Sequence, residues 1–275
     1  MFFRYPFVTF CFSIFSGPLN IPSVTATNHN PYYTTTELGT QNRDASIGNP
    51  LKGFLTNPDW NTPEQALTSF PSSSLEFYYI GLNQIMTDYN TFDWDTVLEV
   101  KLNTTASRNR HSILRFVLDT PSLPSQVPQF LIDGGLEFNT YPEKFYGGGQ
   151  SPNYNDENLK TALMQFITAF ASKYDGDTRI AFVQVGLLGF WGEWHTYTDG
   201  SGLTEGWIPE SLKQDVVEKF ESYMTLTKVQ VRYPFGPAIQ AGFGLHDDSF
   251  AYATLDGSYN GGENVGWFFW PRVIS

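Results

Sequence analysis

The chain has almost no cysteine: Cys11 is the only thiol in 275 residues. It lies in an N-terminal stretch that reads as a removable leader. Disulfides, thiolate nucleophiles and cysteine-held metals are therefore excluded from the rest. Basic residues are scarce too, with 16 Lys and Arg against 28 Asp and Glu and a formal net charge of -12. Such a chain repels phosphate backbones and anionic membrane surfaces, which argues against nucleic acid and for a neutral ligand. Long apolar runs are also missing. Nothing after the leader reaches the roughly 18 consecutive apolar residues of a membrane span, so no membrane association is expected once the leader is gone.

Common catalytic signatures are absent as well. No GxGxxG or Walker-type loop, no HExxH and no GxSxG elbow occurs. The four histidines are scattered at 29, 111, 195 and 246. His195, His246 and Asp247 could in principle ligate zinc, but they lack a fixed ligand spacing, so neither a metal nor a cofactor is expected.

What is present is aromatic and apolar: 41% hydrophobic and 17% aromatic residues, with 24 Gly and 17 Pro. That is enough for one large domain or two small ones. Residues 1–26 carry Arg4, an apolar stretch from Phe7 to Phe15, and small residues ending in Val24-Thr25-Ala26, the pattern of a secretory signal. The protein is accordingly expected to be secreted, to the extracellular space or cell wall. Residues 27–46 are polar, without apolar period, and read as a linker. One glycosylation acceptor, Asn103-Thr104-Thr105, fits an exported chain.

From residue 47 strand and helix patterns alternate. Strands are expected near 51–56, 75–82, 112–118, 180–188, 228–233 and 240–246. Helices follow on FDWDTVLEVKL, on NDENLKTALMQFITAFASKYDGD and on SLKQDVVEKFESYM. The run RIAFVQVGLLGF is apolar enough for a strand buried on both faces. The pattern predicts an α/β fold, a (β/α)8 TIM-barrel-like domain, with strands 1–4 in 47–205 and strands 5–6 in 206–275. Too few residues follow Asp256 for another repeat of about 30. The aromatic WFFWPRVIS ending has no evident partner, so the barrel is expected to be incomplete at its C-terminus.

In parallel α/β folds ligands bind where strands give way to loops. Four exits carry chemistry: Asp119; Trp191, Glu193, Trp194, His195 and Tyr197; Arg232 and Tyr233; and His246, Asp247 and Asp248. Glu193 follows an apolar run and stands between two tryptophans, surroundings that suit a general acid. Asp247 and Asp248 supply further carboxylates, and a carboxylate pair is the minimum apparatus for glycosidic cleavage. Trp191, Trp194, Tyr197 and Tyr233 could serve as sugar platforms, with Asp119, Arg232, His195 and His246 as polar contacts. The alternatives are structural: a buried Glu193 held by Arg115 or Arg232, and Asp-Asp-Ser as ordinary turn chemistry.

The segments GNPLKGF (48–54), GLLGFWGEWH (186–195), VRYP (231–234) and HDDSFAYATLDG (246–257) resemble the paired domains known as domain of unknown function 4874 followed by domain of unknown function 4832. The likeness runs over about 47–270. It implies a secreted barrel similar in layout to retaining glycoside hydrolases, whose acid/base Glu ends the fourth strand, where Glu193 falls. The sequence departs from those hydrolases at Gly192, where they place Asn. Family members extend further, through the seventh strand that carries the nucleophile, so an inactive, incomplete form is one expectation. Three functions stay open: a carbohydrate-active hydrolase, a non-catalytic glycan-binding barrel, or an exported structural protein.

Overall fold

The computed structural model describes residues 55–59, 73–144, 146–196 and 207–248. The expected signal segment, the linker, residues 51–54 of the first expected strand, Tyr197 and the aromatic ending lie outside them. In chain order the elements are β1 (Leu55–Thr56), β2 (Leu75–Gly81), a small hairpin of β3 (Met86–Asp88) and β4 (Thr91–Phe92), helix α1 (Val100–Ser107), β5 (His111–Val117), the short helix α2 (Gln129–Asp133), a second hairpin of β6 (Phe138–Tyr141) and β7 (Gly149–Pro152), the long helix α3 (Glu157–Tyr174), β8 (Ile180–Gln184), α4 (Glu210–Tyr223), β9 (Lys228–Val231), α5 (Gly236–Gln240) and β10 (Gly244–Leu245).

Six strands form one parallel sheet in the order β1-β2-β5-β8-β9-β10. Sheet neighbours follow one another along the chain, and the crossovers from β2 onward carry α1, α3, α4 and α5. This is the repeat of a (β/α)8 barrel carried through six strands. Among the described residues β1 and β10 do not pair with each other, so those residues form an incomplete barrel. The sheet also curls. In a flat sheet β5 and β10, three strand spacings apart, would stand about 14 Å from each other. Yet Arg115 of β5 reaches His246, just past β10, at 3.1 Å.

Alternation along the strands builds two layers. Tyr78, Ile80, Leu114, Phe116, Val183, Val229 and Val231 face outward into the main core, where they meet the helices. Helix α3 begins where the Asp156 carboxylate accepts from Leu159 N at 2.8 Å. It then buries Leu159, Leu163, Phe166, Ile167 and Phe170 on one face. Phe166 and Phe170, both fully buried, each contribute about 1.5–3 kcal/mol by leaving water. On the concave side Leu55, Leu75, Phe77, Ile113 and Phe182 form a smaller apolar plug. One layer further toward the strand ends that face turns polar, with Tyr79, Arg115, Gln184 and Gln230. That change of character places the site.

All six expected strands exist, with the fifth ending at Val231 rather than 233 and two others cut back further. The fourth stops at Gln184 rather than 188, and the sixth is only Gly244–Leu245 because Gly236-Pro237 opens a helical turn. The helix expected from residue 92 does use an Asp93 cap, whose carboxylate accepts from Thr96 N at 3.0 Å. Its first turn is widened, with Glu99 N donating to Trp94 O at 2.9 Å, before α1 proper begins.

Candidate active site

The segment after β8 is a succession of tight turns. Leu187, Gly189, Trp191, Gly192 and Trp194 all have positive φ, between 54° and 72°. For Leu187, Trp191 and Trp194 this conformation costs about 1–2 kcal/mol each. It persists because the backbone is tied down on every side: Leu187 N donates to Phe116 O at 2.7 Å, Trp191 N to Asp119 O at 2.8 Å, and Trp194 N to Leu188 O at 3.0 Å. Gly192 must be glycine: its φ is 67°, and a Cβ there would sit 2.9 Å from Gly186 Cα. The apolar run Gly186–Phe190 is therefore a buried loop and not the end of a strand, a correction to the expected 180–188.

The turns deliver Glu193 to a cluster centred on Arg115. This arginine projects from β5 with its side chain fully buried, and Asp248 Oδ1 lies 2.7 Å from Nη2. Glu193 Oε1 stands 3.8 Å from Nη1. Arg115 Nε also donates to Gln184 Oε1 at 2.9 Å, and Nη1 to Tyr79 Oη at 3.2 Å. Arg232, past β9, adds a second guanidinium 3.5 Å from Asp247 and 3.6 Å from Asp248, and rests 4.6 Å over the Tyr233 ring. Burial pushes the Asp248 carboxyl up, but the charges around it, Arg115 first, hold it well below the usual carboxylate range. Burial lowers the His246 pKa against the pull of Asp248. Arg115 approaches His246 Nδ1, while His246 Nε2 is buried without a hydrogen-bond partner among the described residues.

Glu193 keeps some access, with its side chain 18% exposed, and His195 Nε2 lies 3.1 Å from Oε2. Trp191 is half-buried beside His195, with ring centroids 6.1 Å apart. Trp194 turns inward, 9% exposed, with its indole N–H donating to Val185 O at 2.7 Å. It is packed in the core, and of the two tryptophans only Trp191 stands at the rim. Asp119 is 2% exposed, and Tyr141 Oη donates to it at 2.6 Å. Burial pushes its pKa up to about 7, opposed by hydrogen bonds from Tyr141 and Ser151. Tyr197 lies outside the described residues.

The structure thus brings Glu193, His195, Arg232, Tyr233, His246, Asp247 and Asp248 to one end of the sheet. The sequence offered Arg115 only as a structural partner, yet it is the hub, and Tyr79 and Gln184 were missed. A signal existed: Arg115, Gln184 and Gln230 each interrupt an apolar strand at an inward-facing position. Asn103 lies exposed on α1, where its Oδ1 accepts from Arg179 at 2.7 Å. The Thr105 hydroxyl of the same triplet is buried against Glu76 at 2.7 Å. The folded chain therefore does not present that triplet as an open loop.

No protein-family model and no curated protein matches the chain, so the resemblance to the paired domains rests on the motifs alone. Among solved structures, endo-glycoceramidase II from Rhodococcus sp., in a cellobiose-like imidazole complex, superposes with a TM-score of 0.47 and 14% identity, over 66% of this chain and 48% of that one. The catalytic domain of β-amylase from Paenibacillus polymyxa does so with 0.39 and 11%, over 70% and 72%. A structure described as a glycoside hydrolase gives 0.38 and 14%, over 64% and 47%. The chain spans about half the length of the endo-glycoceramidase structures. These are distant likenesses of fold that assign neither substrate nor mechanism. Among the described residues no helix is long and apolar enough to cross a membrane, and no group of three or more His, Cys, Asp or Glu is placed to hold a metal ion.

Proposed function

We propose that this is an exported carbohydrate-active protein of glycoside-hydrolase type, in which Glu193 is the general acid/base. The supporting observation is the convergence of Glu193, Asp247 and Asp248, from the exits of different strands, on the two buried arginines of the concave face. In this role Glu193 gives its proton to the glycosidic oxygen as the C–O bond breaks and the second carboxylate bonds the anomeric carbon; water then displaces that carboxylate from the sugar while Glu193 takes back a proton from the water. His195 Nε2, 3.1 Å away, orients the carboxyl. Asp248, held ionised by Arg115, positions that arginine and shapes the local field, which leaves Asp247 beside Arg232 as the second carboxylate.

A glycan panel tested against the full chain decides this. The parent should cleave, and Glu193→Gln should lose about 100-fold or more of the rate. A cleaving parent whose Glu193→Gln variant keeps its full rate would remove Glu193 from the chemistry. The second reading, a non-catalytic glycan-binding barrel, draws on the engagement of Asp248 with Arg115, which leaves fewer free carboxylates. Binding without turnover, retained in Glu193→Gln, would establish it.

A further inference from the structure

The β6–β7 hairpin stands over the exit of β5, and it is built to hold one side chain still. Its strands pair from Phe138↔Pro152 to Tyr141↔Gly149. Three ties fix it to its surroundings: Tyr141 Oη donates to Asp119, Ser122 N donates to Gly148 O at 2.7 Å, and Trp207 Nε1 donates to Ser151 Oγ at 3.2 Å. At the tip a Cβ on Gly147 would come within 2.7 Å of Ser122 Cβ, so only glycine allows this approach. The residue so presented is Tyr146, 61% exposed, standing edge-on to Trp191 with ring centroids 5.3 Å apart and planes at 88°.

Both members of the pair are bulky aromatics with left-handed backbone, φ 47° at Tyr146 and 54° at Trp191. Left-handed backbone at two facing bulky side chains, with Trp191 N tied to Asp119 O at 2.8 Å, is the kind of strain found at ligand clamps. The pair also leads straight to the acid. Trp191 packs against His195, and His195 bonds Glu193.

We propose that Tyr146 and Trp191 form an aromatic corner that takes one pyranose ring next to Glu193, a subsite supplied by the hairpin. Two perpendicular rings present a π face beside a ring edge. The axial C–H bonds of an all-equatorial hexopyranose lie on its apolar faces and match the electron-rich π surface. Its equatorial hydroxyls point outward, toward His195 and Glu193. The ligand class is therefore a β-linked, all-equatorial hexose chain. The inference rests on the carbohydrate reading of Glu193 and adds the residues that would select the sugar.

Calorimetric titration of the full chain with cellotetraose and laminaritetraose tests it. Tyr146→Ala should weaken binding roughly ten-fold while lowering the thermal midpoint only by what the loss of its edge contact with Trp191 costs. Tyr146→Phe, which keeps the ring, should restore the affinity. If Tyr146→Ala binds as the parent does, the clamp is wrong while the reading of Glu193 stands. If the parent binds neither tetraose, the clamp falls and the carbohydrate reading loses its support.

Discussion

Two buried clusters of carboxylate and arginine lie at opposite ends of the same sheet, and they are organised differently. Near the N-terminal end of β2, Glu76 is one acid facing two arginines. Arg108 Nε donates at 2.8 Å, Arg110 Nη1 at 3.1 Å, Thr105 at 2.7 Å and Tyr78 at 2.9 Å. Burial pushes this carboxyl up, but the bonds from Arg108, Thr105 and Tyr78 outweigh it and hold its pKa below the ordinary value. At the other end three acids face two arginines. There Glu193 stands 3.8 Å from its guanidinium, and His246 Nε2 is left unpartnered among the described residues. The first cluster is closed on itself, as a structural lock should be. The second keeps one carboxylate at longer range from its guanidinium and partly exposed, the arrangement that the role proposed for Glu193 calls for.

The largest effects should come from breaking either hub. Glu76→Ala would strand a buried Arg110, whose side chain is 4% exposed, and should cost about 3–5 kcal/mol in urea unfolding. Arg115→Met would strand Asp248 and should cost as much, while also abolishing ligand binding. If Glu76→Ala abolished binding at undiminished stability, the two ends would not be distinct.

A smaller effect depends on pH. Asp119 has a folded pKa near 7 against an ordinary value of 3.8, so the folded chain keeps a proton that the unfolded chain gives up. Its stabilising share is complete below about pH 4 and is lost as pH rises to about 7. Asp119→Asn keeps an acceptor for Tyr141 and removes that slope. The variant should therefore gain on the parent by at most about 4 kcal/mol across the window, read from urea midpoints. An unchanged slope in the variant would assign the titration to another group. Asp248 has the opposite sign: its share is present above pH 4 and is lost only as pH falls further. The smallest effect on stability belongs to Glu193→Gln. Its side chain is partly exposed and its contact with Arg115 is long, so the change should stay within about 1 kcal/mol.

The frame of the molecule was legible in the sequence because buried parallel strands are short apolar runs set off by helices of period 3.6, as in SILRFVLD and the face Leu159-Leu163-Phe166-Phe170. The exits followed from that frame. The end of the fourth strand was not legible, because burial makes a loop as apolar as a strand and GLLGF carries no mark of its left-handed residues. Trp191 and Trp194 look alike in sequence, and only the bond from Trp194 to Val185 O separates rim from core. The β6–β7 hairpin is not legible in the sequence because FNTY and GQSP lack an apolar alternation.

Glu76 is bonded as a lock of the fold, whereas Glu193 is proposed to act on a ligand. The most direct test pairs urea unfolding with glycan turnover for Glu76→Gln and Glu193→Gln in the full chain. Glu76→Gln should lose stability while its folded fraction keeps the parental rate, and Glu193→Gln should keep its stability while losing about 100-fold or more of that rate. Equal losses of stability in the two variants, or a Glu193→Gln variant as fast as the parent, would contradict this division of roles.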